Sequence, residues 1–231
     1  MPSGRYYVNC TLSKTDPVVI EGAEAHHLIH VMRAQKGESI EVINGEGKLA
    51  DCTLTQIEKS KAIATVQHLT ENPRPTPLIA ALALTRQNHL EWAIEKGTEL
   101  NASAFFLFPG EYSERDSLSP NQKERLVHLT IAATKQSGRL YLPTIVYKPP
   151  LKSWDLSLEC ASYKLLICDP LADTPLAATH APTLFFIGPE KGFSPQELEQ
   201  LSKLPHAKRV RLHKNILRAE TAPLVALSLL N

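Results

Sequence analysis

The residue types able to do chemistry crowd into the last quarter of this chain, in Ile187-Gly-Pro-Glu-Lys-Gly-Phe193 and Leu212-His-Lys-Asn-Ile-Leu-Arg-Ala-Glu-Thr-Ala222. Gly188 and Gly192 are the kind of residue that lets a backbone turn sharply or lie close against a ligand. From Lys203 to Arg218 the cations are Lys203, Lys208, Arg209, Arg211, Lys214 and Arg218, joined by His206 and His213 and by no acid. Such a run is either a solvated face or the footprint of a polyanion, and this one overlaps the second segment. Neither segment is a common nucleotide fingerprint. A P-loop has four residues between its glycines and then Lys-Ser/Thr, whereas three separate Gly188 from Gly192 and Phe193 follows. The dinucleotide pattern G-x-G-x-x-G is absent as well. Taken alone, the first segment also describes a well-capped junction between a strand and a helix.

The elements that must position these residues are legible around them. Thr183–Ile187 is an apolar run of buried-strand type, and Ser194-Pro195-Gln196-Glu197 has Ser at N-cap, Pro at the first helical position and Glu at N3. The second segment repeats the plan: a short strand over 208–212, an irregular stretch, then an apolar helix with Pro223 in its first turn. Two strand-to-helix turns at one end of a parallel sheet form a crevice, the usual ligand position in such sheets. Upstream, 78–84, Ala104–Phe108, Thr144–Tyr147 and 163–168 are further strands. Leu90, Ala93, Ile94, Gly97 and Leu100 share a helix face, and Ser119-Pro120 opens a helix that runs to Gly138. This alternation predicts a mainly parallel sheet covered by helices on both faces.

The first seventy residues read differently. Short β-rich runs at 5–8, 17–21, 38–44, Lys48–Ile57 and 61–69 surround one helical pattern over 23–33, which predicts a small barrel-like domain. Glu71-Asn-Pro-Arg-Pro-Thr-Pro77 is a semi-rigid linker by composition, so the expected division is 1–70, linker 71–77, and 78–231. His26, His27 and His30 lack the Cys or carboxylate that would complete a metal set, and no metal site is expected. Arg5, Arg33 and Lys36 are either phosphate contacts or plain surface charge. A formal net charge of +1 means that nucleic-acid binding would rest on local patches. Scattered Cys10, Cys52, Cys160 and Cys168, no signal-peptide pattern and no membrane-length apolar run point to reduced thiols in the cytoplasm.

Together the two segments resemble the C-terminal motifs of the knotted SPOUT-type RNA methyltransferases, most of all the bacterial 16S ribosomal RNA uridine-N3 methyltransferases. Their pattern runs I-G-P-E-G-G and then L-G-x-x-[IV]-L-R-x-E-T-A. Here Lys191 stands at the first of the paired glycines and His213 where a glycine is usual. Glu95-Lys-Gly-Thr-Glu-Leu100, Ser113-Glu-Arg115 and Lys135-Gln-Ser-Gly-Arg139 are similar to the family's K-x-T-E-L-G, S-E-R and E-Q-S/C-G-R. The run from His26 to Arg33 resembles the family's N-terminal PUA-like domain, so the likeness spans nearly the whole chain.

The resemblance implies an α/β fold: an N-terminal PUA-like β-barrel domain and a C-terminal SPOUT-type domain, with a mainly parallel sheet and a trefoil knot. It implies a homodimer, 16S ribosomal RNA of the small subunit as substrate, and S-adenosylmethionine as methyl donor. The donor would be held by Cys168 and Asp169 after one strand and by Ile187, Gly188, Pro189, Glu190 and Gly192 after the next. Leu212, Ile216, Leu217, Arg218, Thr221 and Ala222 would close the third side. Asp169 bonds a cofactor hydroxyl or only shapes the turn before Pro170. Arg218 stabilises charge that spreads over the uracil as N3 loses its proton, or positions phosphate. Glu220 is a candidate catalytic base, made a weak one by the helix start and by pairing with Arg218; Glu190 is the other carboxylate in reach, and a water is the remaining choice. Arg115, Arg139, Lys208 and Lys214 join Arg5, Arg33 and Lys36 as expected RNA contacts. Ribose 2′-O methylation and a non-catalytic RNA-binding or assembly role are the competing readings.

Overall fold

The computed structural model, which describes residues 4–231 apart from the side chains of Leu158 and Glu159, divides into two units. One unit takes Met1–Pro75 together with Ile131–Leu142, and the other Thr76–Thr130 and Pro143–Asn231.

In the first unit, β1 (Arg5–Tyr7), β2 (Val18–Glu21), β3 (Ser39–Ile43), β4 (Lys48–Ile57) and β5 (Lys61–Glu71) form one sheet in the order β1-β3-β4-β5-β2. β1 lies parallel to β3 and the remaining pairs are antiparallel. Alternate residues of β4, Ala50, Cys52 and Leu54, point into a core with Tyr6, Ile20, Leu28 and Val42. Bulges between Asp51 and Cys52 and between Leu54 and Gln56 shift the register against β5, which bends and twists the long hairpin. The helical pattern over 23–33 becomes α1 (Gly22–His26) followed by one π-helical turn, His27–Val31. Met32 N–H donates to the His27 carbonyl at 2.9 Å and Ala34 N–H to that of Leu28 at 3.1 Å. The widened turn ends at Arg33, which takes a left-handed φ of 53°.

Ile131–Leu142 joins this unit through specific contacts. Lys135 Nζ lies 2.6 Å from Glu24 Oε1, and Tyr141 Oη donates to the Asn72 carbonyl at 2.7 Å. Gly47, at φ 96°, packs where any Cβ would collide with the Tyr141 ring.

From residue 78 on the chain alternates as its sequence does: β6 (Leu78–Ala83), α2 (Gln87–Glu99), β7 (Ala104–Phe108), α3 (Pro120–Ser137, whose end from Ile131 belongs to the first unit), β8 (Thr144–Tyr147), α4 (Leu156–Cys160), β9 (Lys164–Cys168), β10 (Thr183–Ile187), α5 (Pro195–Ser202), β11 (Lys208–Val210) and α6 (Ala222–Leu230). These six strands are all parallel, in the order β11-β9-β10-β6-β7-β8. Every residue of β6 and β10 is buried, as central strands covered on both faces must be. Leu78, Ala80 and Leu82 face one core with Phe185 and Leu227, while Ile79, Ala81 and Ala83 face the other with Phe186 and Trp154. A Cβ on Gly97 would stand 2.9 Å from the Phe105 ring, so this glycine lets α2 approach the sheet. The chain builds β6, β7 and β8 outward in one direction and then crosses to β9 and β10. The order therefore reverses between β6 and β10, and the crevice of a parallel sheet opens at such a reversal.

Candidate active site

The turn after β10 is shaped by its own backbone. A Cβ on Gly188 would lie 2.9 Å from Phe193 N and 3.0 Å from the Gly192 carbonyl carbon, so only glycine fits. Gly192 N–H donates to the Pro189 carbonyl at 2.8 Å, closing a four-residue turn with Gly192 at φ 77°. Ser194 then caps α5 with the expected reciprocal bonds to Glu197. Glu197 is buried, and its Oε1 also accepts from Glu111 N–H at 3.0 Å, tying the turn after β7 to this one.

The segment after β11 is anchored at both ends. Arg211 exchanges backbone hydrogen bonds with Thr174 and Leu176, at 2.7 and 2.9 Å, so residues 174–176 run alongside it. The Arg218 carbonyl accepts from Thr221 and Ala222 N–H at 3.0 and 2.9 Å and starts α6. Between these anchors, among the described residues, the backbone groups of Leu212, Ile216 and Leu217 make no hydrogen bonds within the chain. Leu212 packs on the core, whereas Ile216 is 81% exposed.

Three elements converge at the reversal point. From α2, His89 Nδ1 lies 3.5 Å from Glu190 Oε1 and 3.7 Å from Glu220 Oε2. Glu190 Oε1 also accepts from Arg86 N–H at 3.3 Å. Glu220 Oε1 is 4.0 Å from Arg218 Nη1, whose side chain is 82% exposed. His89 Nδ1 and Glu220 Oε2 are both buried without a hydrogen-bond partner, as is Arg115 Nη1. Arg86 forms two hydrogen bonds to Glu114, at 3.0 and 2.8 Å, and these hold the Glu114 carboxyl below the usual carboxylate range.

Several expected residues stand in other company. Asp169 is buried with both oxygens engaged: Oδ1 accepts from Leu171 N–H at 2.9 Å and Oδ2 from the Arg209 guanidinium. Arg211 Nη1 donates to the Ala172 carbonyl at 3.1 Å, so two cations of the acid-free run brace the 169–172 turn. Cys168 and Ile187 end their strands with buried side chains, and burial pushes the Cys168 thiol far up, which leaves it inert. Lys208 and Lys214 are exposed, as are Arg33 and Lys36 in the first unit. Arg5 is tied to Glu41, with its side chain only 9% exposed, and burial pushes the Arg139 guanidinium down to about 10. His89 was not singled out from the sequence. It lies 101 residues before Glu190 and 131 before Glu220, and a lone histidine in an amphipathic helix carries no local signal. Among the described residues no group of three His, Cys, Asp or Glu side chains is placed to hold a metal, and no helix is long and apolar enough to cross a membrane.

A parallel α/β unit with turns gathered at its reversal point follows a small β domain in this chain. The chain matches the RNA methyltransferase domain over residues 72–231 and the RNA methyltransferase PUA domain over residues 20–67. It is 30% identical over 242 residues to a Ribosomal RNA small subunit methyltransferase E of Bacillus subtilis strain 168, covering 97% of this chain and 94% of that protein. A protein of the same name from Mycobacterium bovis is 30% identical over 237 residues, covering 96% and 88%. The crystal structure of a Ribosomal RNA small subunit methyltransferase E from Neisseria gonorrhoeae bound to S-adenosyl methionine superposes with a TM-score of 0.85 at 28% identity, covering 97% of this chain and 95% of that one. The chain belongs to the ribosomal RNA small subunit methyltransferase E family.

Proposed function

We propose that this protein transfers a methyl group from S-adenosylmethionine to N3 of a uridine in 16S ribosomal RNA of the small subunit, in the cytoplasm. The observation that carries the reading is that Glu190 and Glu220 both lie beside His89, with Arg218 next to Glu220, where the sheet order reverses and turns leave backbone donors and acceptors unused. The residues present fit a cofactor held mainly by backbone. Gly188 has no room for a Cβ, and the free backbone of Leu212, Ile216 and Leu217 offers partners for adenine and ribose groups. Cys168, Ile187, Pro189, Gly192, Thr221 and Ala222 frame the same end of the sheet. Asp169 is assigned to bracing its turn, because its acceptor oxygens are already bonded.

Bound there, the cofactor supplies an electrophilic methyl group on a sulfonium. The protein's task is to align uracil N3 with that carbon and to receive the N3 proton, and alignment alone removes much of such a barrier. Glu220 is assigned as the acceptor over Glu190, whose Oε1 already accepts a backbone N–H, with a water as the alternative acceptor. Arg218, beside Glu220 and otherwise exposed, is placed to offset negative charge on the uracil carbonyls. Exposed Arg33, Lys36, Lys208 and Lys214 are assigned to RNA phosphates, whereas buried Arg5 and Arg139 are assigned to holding the first unit together.

We also assign a homodimer. Trp92 and Leu229, on the mutually packed α2 and α6, are 50% and 39% exposed, and Leu171 and Ile216 are each 81% exposed. The C-terminal trefoil knot belongs to the same reading, supported by residues 174–176 lying against Arg211. The deciding experiment is mass spectrometry of the nucleosides in small-subunit RNA from cells that lack this chain. Loss of 3-methyluridine is expected. Loss of a 2′-O-methyl nucleoside instead, or no loss, would overturn the assignment.

A further inference from the structure

Glu190 and Glu220 belong to different turns, and what stands between them is the imidazole of His89. Its Nδ1 is 3.5 Å from one carboxylate and 3.7 Å from the other, buried and without a hydrogen bond. We propose that His89 is a positioning residue: its imidazolium draws the Glu190 and Glu220 carboxylates together, closing the turns after β10 and β11 on the cofactor, and loss of its proton loosens both. The inference rests on the functional reading above and names a further residue for it.

The charge arrangement supports this assignment. A neutral imidazole with its lone pair at Nδ1 would face two carboxylate oxygens with nothing to offer them. A proton at Nδ1 can sit on the neutral tautomer or on the imidazolium, and the imidazolium alone carries the positive charge that draws Glu190 Oε1 and Glu220 Oε2, at 3.5 and 3.7 Å, from its two sides. The other charged groups around the imidazole do not replace it. Arg218 is 4.0 Å from Glu220 and 82% exposed, so solvent screens it. Arg86 is committed to Glu114, an acid near enough to interact with both His89 and Lys191, and Lys191 itself is exposed at the turn. Protonated, His89 is the cation shared by both turns. Its side chain is 25% exposed, so solvent protons reach it.

The test is calorimetric binding of S-adenosylmethionine to the intact protein from pH ~5.5 to ~8.5, the span in which histidine titrates. Wild-type affinity should fall by about tenfold as pH rises, the size of losing one partly buried ion pair. His89→Lys, which keeps its charge throughout, should bind tightly with a flat profile. His89→Leu should bind weakly with a flat profile, and thermal melts of all three report whether each is folded. A pH dependence that persists in His89→Lys, or wild-type affinity in a folded His89→Leu, overturns the assignment of His89 and leaves the methyltransferase reading standing. Absence of any cofactor binding by the wild type overturns both.

Discussion

At the scale of single residues, the chemistry proposed for the site separates two arginine-or-lysine roles that a sequence cannot tell apart. Lys208 opens β11, at the end of the strand remote from the turn, while Arg218 stands 4.0 Å from Glu220. Lys208→Ala should weaken RNA binding and lower its salt slope by about one unit, as expected for one lost phosphate contact. Arg218→Ala should instead lower the single-turnover rate at saturating RNA by roughly a hundredfold, the usual effect of removing a group that meets developing charge. Full turnover of Arg218→Ala at saturating RNA would reduce Arg218 to a substrate anchor. Partners far apart in sequence were the part of the site that single residues could not reveal. Asp169 was open to a cofactor bond or to shaping its turn, and the bond to Arg209 that favours the turn spans 40 residues; His89 is farther still from its carboxylates. The thiols offer a separate check. Burial pushes Cys52 up to about 11 and Cys168 higher still, and Cys160 is buried too, while Cys10 is exposed. Alkylation of the native protein should therefore label Cys10 alone by peptide mass spectrometry, and all four after denaturation.

At the scale of elements, strands and caps were legible because they rest on local chemistry. The Ser194–Glu197 capping box is present as its spacing foretold, and β6 and β10 are buried runs as their apolar sequence required. The box also does something the spacing did not announce, since Glu197 reaches across to Glu111 N–H. Ser194→Ala should therefore cost ~1 kcal/mol for the cap and also weaken cofactor binding by loosening the turn, read from a melt and a calorimetric titration. An unchanged affinity would show that α5 holds the turn without its cap. Gly188→Val should abolish cofactor binding, because its side chain would strike the backbone at Phe193 and Gly192 and displace the turn. The π-helical turn at His27–Val31 was not legible: a periodicity of 3.6 cannot distinguish one inserted residue near the end of a helix. Acid stability belongs to this scale as well. The Arg125 hydrogen bond from α3 holds the Glu91 carboxyl of α2 below the usual carboxylate range. A depressed carboxyl stabilises the fold above its unfolded pKa, and that stability is lost as pH falls through its folded pKa. Glu91→Gln should cost ~0.5 kcal/mol near neutrality, the size of an exposed pair, and nothing below the carboxylate range.

At the scale of the whole molecule, assembly and domain division remain to be tested. The exposed Trp92, Leu229, Leu171 and Ile216 are more apolar surface than α2, α6 and two turns need for their own packing. A sedimentation mass of two chains at micromolar concentration is expected, and a mass near 25.6 kDa would exclude the dimer. The Pro-rich stretch marks a change of pattern in the sequence, and a cut there promises an N-terminal fragment that binds RNA alone. The contacts alter that expectation. Ile131–Leu142 belongs with the first unit, where Lys135 pairs with Glu24 and Tyr141 bonds Asn72, and composition gives no hint that a distant helix end completes a small β domain. A fragment of residues 1–75 leaves Glu24 without its lysine and Gly47 without the ring it packs on, and domains of this size have little stability in reserve. It should unfold at a markedly lower temperature than a fragment to which residues 131–142 are restored through a flexible linker, followed by circular dichroism. RNA binding should return with the fold, and if both fragments melt and bind alike, the segment is only a neighbour and the Pro-rich stretch is the true boundary.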